Sequence, residues 1–531
     1  MLEQFTASLG WSSSPWRKSD RAIRSGFGPD ARSSEARNTG CIQASGDAGA
    51  WGGASFARPS PSREVRNPSR VPSKTDGPEP ARRATWRLSP RAASLHVLAA
   101  GMTACGGSDD ASSGPTAGIV PLPVPGCEQE SYTACDVATD ACQAAIFSTM
   151  ACIRGNPGAT RPSSRTLTAT EYGDELAANT TNADTPLSLA YERCAVLLNL
   201  ARPGDLSVQS KIHVSTSTVP AFYSNKTKQV TFVVPDGSVP AYHHEYAYIS
   251  LSHEYVHALQ DQEHDLTQFK KDHWETTDSA LAVTSVIEGE AEAHQNAFLA
   301  ATWGLDPTNL DSNAHYAAMK AWDKQVLAGI SPLLAIWRDF PYSAGGPYVQ
   351  QILTSGGMPA VRQLFVDPPT ASAQVTSGIE PIPIVAEAPA PPAGYELMET
   401  DTLGSELLYD YLVTVPTVAM IHANLLAADW RGDRFYFYRS LSSDSVAVVA
   451  RLRFATQAMQ SLLLSISGPW ESTSIEGDVV IALTTDPSRT TVLGTLLDNA
   501  TNGIIAPSGG ATDPSTAAAR PSRVFPFLPE L

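Results

Sequence analysis

The chain is short of cations over most of its length, and it has no long apolar run, no CxxC pair and no internal repeat. Its 37 Lys and Arg face 54 Asp and Glu, and 15 of those cations but only 8 of those acids precede residue 105. The acidic remainder repels polyphosphate, so nucleic acid is not expected as a partner. Because no apolar run reaches about 18 residues, no transmembrane helix is expected.

The N-terminal region has the composition of an export signal placed far from the first residue. Residues 1–85 are rich in Arg, Ser, Pro and Gly, so we expect them to be disordered or a mis-assigned upstream segment. Residues 86–104 run from basic to apolar to small, which is secretory-signal order. Their end, Met102-Thr103-Ala104-Cys105, resembles the cleavage box of bacterial lipoproteins, and residues 105–126 resemble the flexible tether that follows it.

This resemblance implies an exported protein of the cell envelope, either membrane-anchored through a lipid on Cys105 or secreted. The alternative is a chance Ala-rich patch. Peptides from upstream of Cys105 in the mature protein, detected by mass spectrometry, would contradict the signal.

Cysteine usage agrees with export. Beyond Cys105 the body has five cysteines, four of them within residues 127–160: Cys127, Cys135, Cys142, Cys152 and Cys194. Clustered cysteines of an exported chain are more often disulfides than metal ligands. We expect two bridges and one leftover thiol, with the connectivity left open.

Composition divides the body into segments. We expect a catalytic domain over residues 161–380, with a helix from Ser188 to Leu200. Within it, the β-rich stretches on either side of an Asn-containing turn, from Ile212 to Tyr223 and from Gln229 to Val234, predict a hairpin. A Pro-rich loop at 381–394 precedes a mainly helical lobe at 395–505, and 506–531 is a flexible tail.

The segment His253-Glu254-Tyr255-Val256-His257 carries the chemistry. Positions four apart share a helical face, so the two imidazoles can face one ion. Glu254 lies beside them, placed to take a proton from metal-activated water as a general base. An opposite apolar stripe predicts docking on a core: Tyr248, Leu251, Tyr255 and Leu259. The alternative is a helix with two solvated histidines.

A second predicted helix supplies the third ligand. Its segment Ile287-Glu288-Gly289-Glu290-Ala291 resembles the ligand helix of gluzincins, which implies Zn²⁺ bound by His253, His257 and Glu288 with water in the fourth position. Glu292, one turn on, is the alternative ligand. A glycine inside a helix costs roughly 1 kcal/mol relative to alanine, so Gly289 predicts a close approach, here to the first helix.

Neighbouring residues refine the class of site. A metzincin needs Gly at 260 and His at 263, but the chain has Gln260 and Glu263, which excludes that class. Asp261 and His264 lie on or near the ligand face and are candidates to hold an imidazole tautomer.

Several spaced motifs extend the resemblance over roughly residues 185–465. The chain resembles exported bacterial and archaeal zinc metallopeptidases, which are largely uncharacterised, in these segments: His253 to Gln262, the Glu288-Gly289 helix, Phe340-Pro341-Tyr342, Asp367-Pro368-Pro369-Thr370, Asp401-Thr402-Leu403-Gly404 and Trp430-Arg431-Gly432-Asp433-Arg434. Ala371-Ser372-Ala373 departs from the family's pattern.

The resemblance implies an α+β, zincin-like fold with a small β-sheet above the HExxH helix and a mainly helical second lobe. Residues 230–234 are the candidate edge strand for pairing with a peptide. Tyr342, Tyr348 and Arg434 are candidates to stabilise the oxyanion of a tetrahedral intermediate.

Three functions are compatible with these residues. The first is peptide-bond hydrolysis of a peptide or protein substrate by a metal-activated water with Glu254 as general base. The second is a surface lipoprotein that keeps a structural zinc and acts as a binding module. The third is a zinc hydrolase of a non-peptide amide or ester. The sequence does not indicate the substrate or the oligomeric state.

Overall fold

The computed structural model describes residues 135, 137, 139–179, 185–234, 244–302, 316–317, 320–321 and 327–505. The expectations for residues 1–85, the signal at 86–104, the tether with Cys105 at 105–126 and the tail at 506–531 lie outside these residues.

The described chain contains both helices and strands, with a run of six consecutive helices between β3 and β4, which confirms the α+β class. The helices are α1 Asp140–Ile153, α2 Ala169–Asn179, α3 Pro186–Leu197, α4 Val208–Thr218, α5 His244–His264, α6 Leu266–His273, α7 Thr277–Thr302, α8 Pro332–Ser343, α9 Gly345–Gln363, α10 Ser372–Ser377, α11 Gly404–Thr414, α12 Met420–Asp429, α13 Gln457–Ser465 and α14 Arg489–Thr501. The strands are β1 Ser163–Thr168, β2 Ala221–Ser224, β3 Gln229–Val234, β4 Tyr395–Asp401, β5 Trp430–Ser440, β6 Val446–Phe454, β7 Glu471–Ile475 and β8 Asp478–Thr484.

The predicted hairpin is present but shorter than its β-rich sequence suggests. β2 pairs antiparallel with β3 across the turn. The residues ahead of β2 form α4 instead, because Ser207 caps a helix there by accepting the backbone N–H of Ser210. The predicted helix near Ser188 is confirmed as α3.

The small sheet has the order β1-β3-β2, and β1 runs parallel to β3. The prediction that residues 230–234 form an edge strand is therefore wrong, because β3 is the central strand. Its residues from Val230 onward are buried, as a strand covered on both faces requires. In the described part of this sheet the edges are β1 and β2.

The C-terminal region contains an antiparallel sheet of order β4-β5-β6-β8-β7. The prediction of a mainly helical lobe over 395–505 is wrong for this reason. Four helices, α11 to α14, accompany the sheet, and its central strands β6 and β8 are almost entirely buried.

One buried core joins the two predicted halves of the body. It contains residues from α3, α7, α8, α11, β5 and β6, represented by Ala190, Leu281, Trp337, Leu407, Phe437 and Val448. The Pro-rich loop at 381–394 therefore connects elements that share a core. Within the described residues, no helix is long and apolar enough to cross a membrane.

A disulfide-bonded segment packs on α5. Cys135 is bonded to Cys142 at the start of α1, and Cys152 at its end is disulfide-bonded as well. Cys194 is a free, buried thiol, in agreement with the one leftover thiol that the sequence predicts. α1 shares an apolar cluster with α5, in which the rings of Phe147 and Tyr255 lie nearly perpendicular with 5.2 Å between their centroids.

Buried carboxylates anchor the start of α7 to the C-terminal region. Asp401 accepts the backbone N–H of Thr277 at 2.9 Å, and Asp278 accepts that of Ser372 at 2.8 Å. The backbone of Gly404 lies against the Asp278 carboxylate so closely that a Cβ there would overlap it. Burial, together with the nearby Asp433 and Asp401, raises the pKa of Asp278 to about 7.

The raised pKa predicts that ionisation of Asp278 destabilises the folded protein. Asp278→Asn should remove this pH-dependent loss of stability. A carboxyl group whose pKa is higher when folded binds protons more tightly in the folded state, so its contribution to stability falls as pH rises from about 4 to about 7. The gain in unfolding free energy of the variant over wild type should increase over that window, with a ceiling on the order of 4 kcal/mol. Urea unfolding at several pH values measures it. Asp498→Asn, at an exposed position on α14, is the control, for which the difference in unfolding free energy from wild type should not change with pH. A pH-independent difference for Asp278→Asn would contradict the prediction.

Candidate metal centre

The two histidines of α5 converge on Glu288 of α7. The Nε2 atoms of His253 and His257 lie 3.0 and 3.2 Å from the same carboxylate oxygen, Oε2 of Glu288. The candidate donor atoms of the three residues all lie within 4.8 Å of one another, and all three residues are buried. Among the described residues this is the group of His, Cys, Asp and Glu that could hold a metal ion.

The donor set and spacing fit zinc. Zn–N and Zn–O bonds of about 2.0–2.1 Å at tetrahedral angles place neighbouring donor atoms about 3.3 Å apart. The two separations from the Glu288 oxygen are close to this value. Two imidazoles and one carboxylate leave a fourth tetrahedral position, which is the pattern of a catalytic site.

Helix packing brings Glu288 to the histidines. The face of α5 opposite the histidines is buried against α1 and the hairpin, as the apolar stripe predicts. On α7, Gly289 allows a close approach to Gly345 at the start of α9, whereas its position in the sequence predicted an approach to α5. A Cβ on Gly289 would overlap the Gly345 carbonyl oxygen and lie 2.9 Å from a methyl carbon of Val349.

Electrostatics favours an ionised Glu288. Burial alone would raise the pKa of this carboxyl, but the imidazoles of His257 and His253 outweigh burial and hold the pKa well below its usual range. The carboxylate is therefore available as a metal ligand.

Glu254 lies beside the ligand residues and is held by the hairpin. Its Oε2 accepts the backbone N–H of Tyr223, in β2, at 2.7 Å. Burial raises its pKa, and the neighbouring His257 and His253 partly offset that rise. Because β2 is an edge strand, the general-base candidate stands next to the edge of the small sheet.

Glu292 lies behind His253. Its Oε1 is 3.7 Å from Nδ1 of His253, the ring nitrogen that does not face Glu288. Its Oε2 is buried and has no hydrogen-bond partner among the described residues. This arrangement distinguishes the two candidate ligands of α7, because Glu288 lies close to both Nε2 atoms whereas Glu292 lies near one Nδ1.

Tyr342 of α8 is at the site. Its ring stacks on His253 with 5.8 Å between ring centroids and 24° between ring planes. Burial and the nearby carboxylate of Glu288 raise the pKa of the phenol well above its ordinary value, so the hydroxyl stays protonated and can donate.

The other two oxyanion candidates lie elsewhere. Tyr348 packs against the apolar core and is partly buried. Arg434 donates to Thr400 Oγ1 at 2.7 Å, across the pair of strands β4 and β5. No described contact brings either residue to the histidines.

On α5 the side chain that hydrogen-bonds an imidazole is that of Gln260, a residue that the sequence analysis uses only to exclude metzincins. Its Oε1 lies 2.9 Å from Nδ1 of His257. Asp261 accepts the Tyr223 hydroxyl at 2.7 Å and the Lys228 ammonium at 2.5 Å, and His264 stacks on a phenylalanine ring. The prediction that Asp261 or His264 holds an imidazole is therefore wrong. The sequence signal that predicts this contact is spacing, because Gln260 lies three residues after His257 and therefore on the same helical face.

Comparison with known proteins supplies no relative for this chain: no family model, no curated protein and no solved structure matches it.

Proposed function

We propose that the protein is a zinc-dependent peptidase with a zincin-like arrangement, in which His253, His257 and Glu288 hold the metal and Glu254 is the general base. The observation that carries this proposal is the convergence of both Nε2 atoms on one Glu288 oxygen, with a second buried carboxylate beside them. A purely structural zinc site has no need of that second carboxylate. We extend the proposal to export and anchoring through Cys105.

A zinc ion bound there supplies a water molecule of lowered pKa and a Lewis acid for the scissile carbonyl. Glu254 takes a proton from the attacking water and delivers it to the nitrogen of the leaving amine. Because Oε2 of Glu254 accepts the Tyr223 N–H, we assign the transferred proton to Oε1. The same hydrogen bond holds the carboxylate in place while the proton moves.

The substrate backbone lies along β2 in this proposal. β2 replaces β3 as the candidate strand for pairing, because β2 is at the edge and β3 is not. Backbone pairing at an edge strand binds a peptide with little dependence on its side chains. The adjacent Glu254 is then within reach of the scissile bond.

The test is incubation of a mixed peptide library with the purified protein and zinc, and in parallel with a chelator, followed by mass spectrometry of the new termini. Cleavage that the chelator abolishes supports the proposal and gives the subsite preferences. Zinc binding without any hydrolysis would indicate the binding module. Hydrolysis of ester or non-peptide amide substrates alone would indicate the third function.

Tyr342→Phe should lower kcat by about 100-fold and leave zinc content unchanged. The hydroxyl is the candidate donor to the oxyanion, and loss of one such donor typically costs 10²–10³ in kcat. The ring stack on His253 survives in the variant. Tyr348→Phe, which removes a hydroxyl away from the site, is the matched control with wild-type kcat. Equal kcat for the two variants would remove Tyr342 from the mechanism.

A further inference from the structure

Gln260 connects a candidate metal ligand to a buried ion pair. Its side-chain Nε2 donates to the backbone carbonyl of Ile287 and to Oε2 of Glu290, both at 2.9 Å. Its Oε1 faces Nδ1 of His257 at 2.9 Å. Gln260 is fully buried, so these three contacts account for its amide.

The contacts fix which way the amide points and therefore that Nδ1 of His257 carries a proton. A carbonyl and a carboxylate only accept hydrogen bonds, so the group facing them is the NH₂ of Gln260. Oε1 then accepts from Nδ1–H of His257. Nε2 of His257, the ring nitrogen that faces Glu288, is then the one whose lone pair a bound metal ion would take.

Glu290 is held in turn by Arg154. Arg154 Nε donates to Oε1 of Glu290 at 2.8 Å and an Nη to Oε2 at 3.4 Å, so both carboxylate oxygens are engaged. A further Arg154 nitrogen donates to Glu263 at 2.6 Å. Two hydrogen bonds from one guanidinium fix the plane of the Glu290 carboxylate, with Oε2 turned toward Gln260.

Arg154 comes from outside the helices that carry the ligands. It caps the C-terminus of α1, two residues after the disulfide-bonded Cys152, and its side chain is completely buried. A fully buried guanidinium is costly to desolvate, and its cost is offset here by Glu290 and Glu263. The disulfide-bonded segment thus ends in a charge placed behind the metal centre.

We propose that Arg154, Glu290 and Gln260 form a positioning relay that holds His257 in its metal-binding tautomer, so that the disulfide-bonded segment sets the metal affinity of the site. The inference rests on the metal site of the proposed function. None of the three residues of the relay touches the substrate, and their effect passes through His257.

The first test compares two Gln→Met variants of α5 in the full chain. Gln260→Met removes the contact with His257 and should raise the zinc dissociation constant 10- to 100-fold, the usual effect of losing such a partner. Gln262→Met is the matched control, because Gln262 makes two hydrogen bonds with Thr160, between α1 and β1, and none of its described hydrogen bonds is to a histidine. Its zinc affinity should stay within about 2-fold of wild type.

The readouts are zinc competition with a chromophoric chelator and the visible spectrum of the cobalt-substituted protein, which responds to ligand geometry. Thermal unfolding with a chelator present checks the fold of each variant. Equal zinc affinities for Gln260→Met and wild type, or a wild-type protein that binds no zinc, would overturn the relay. If the wild type binds zinc but cleaves no peptide, the proposed function fails and the relay is judged on affinity alone.

The second test addresses Arg154. Arg154→Met should weaken zinc binding at least 10-fold, whereas Arg362→Met, which removes the other guanidinium bound to Glu263, should not. If Arg154→Met does not fold, Arg154→Lys replaces it. Lysine keeps the charge but cannot engage Glu290 and Glu263 in the same way, so its zinc affinity should also fall. Wild-type affinity in a folded Arg154 variant would remove Arg154 from the relay.

Discussion

Glu254→Gln is expected to reduce kcat by 10²–10⁴-fold while the protein keeps its fold and its zinc. The amide matches the carboxylate in shape, and its Oε atom can still accept the Tyr223 N–H that Glu254 now accepts at 2.7 Å. An amide cannot take a proton from water at neutral pH, so only the transfer step is lost. Turnover of a fluorogenic peptide, measured beside zinc content by atomic absorption, tests the expectation.

Glu254→Asp is the graded control for the same position. Aspartate keeps the base but withdraws it by one methylene, and an error of about 1 Å in a catalytic group can cost 10²-fold. We therefore expect activity between those of wild type and Glu254→Gln. A Glu254→Gln protein that retains a tenth of wild-type kcat, or that loses its zinc, would contradict the assignment of Glu254 as base.

Local spacing predicted the part of the site that lies on one helix. His253 and His257 share a face of α5 because positions four apart do so in any α-helix, whatever surrounds it. The apolar stripe on the opposite face is buried for the same reason. Gln260 obeys this geometry too, but its role depends on Glu290 and Arg154, and Arg154 is more than 100 residues away in sequence.

Strand order and lobe composition depend on tertiary contacts that local pattern does not contain. β3 is central because β1, from a distant part of the chain, pairs with its other side. β8 and the first half of β6 are buried on both faces, so they lack the alternation of apolar and polar residues that marks a half-exposed strand. A continuous apolar run of that kind does not distinguish a buried strand from a buried helix.

Gly289→Ala is expected to lower the free energy of unfolding by about 1–3 kcal/mol and to weaken zinc binding. The added Cβ would overlap the Gly345 carbonyl and meet Val349, so α7 and α9 must separate. Gly345 has little room to move, because its own backbone packs so closely on Ser285 of α7 that a Cβ on Gly345 would overlap the Ser285 carbonyl oxygen. Glu288 is the residue before Gly289, so any shift of α7 also moves the carboxylate away from the two Nε2 atoms.

Gly494→Ala, on α14, is the matched control, because nothing lies within 4 Å of the Cβ that it adds. Alanine favours helix by roughly 1 kcal/mol over glycine, so this variant should be as stable as wild type or slightly more stable. Urea unfolding with a chelator measures the packing cost alone, and zinc competition measures the displacement of Glu288. If Gly289→Ala and Gly494→Ala have the same stability, the crossing of α7 and α9 is not close-packed at Gly289. If Gly289→Ala is destabilised but binds zinc as tightly as wild type, the position of Glu288 does not depend on that crossing.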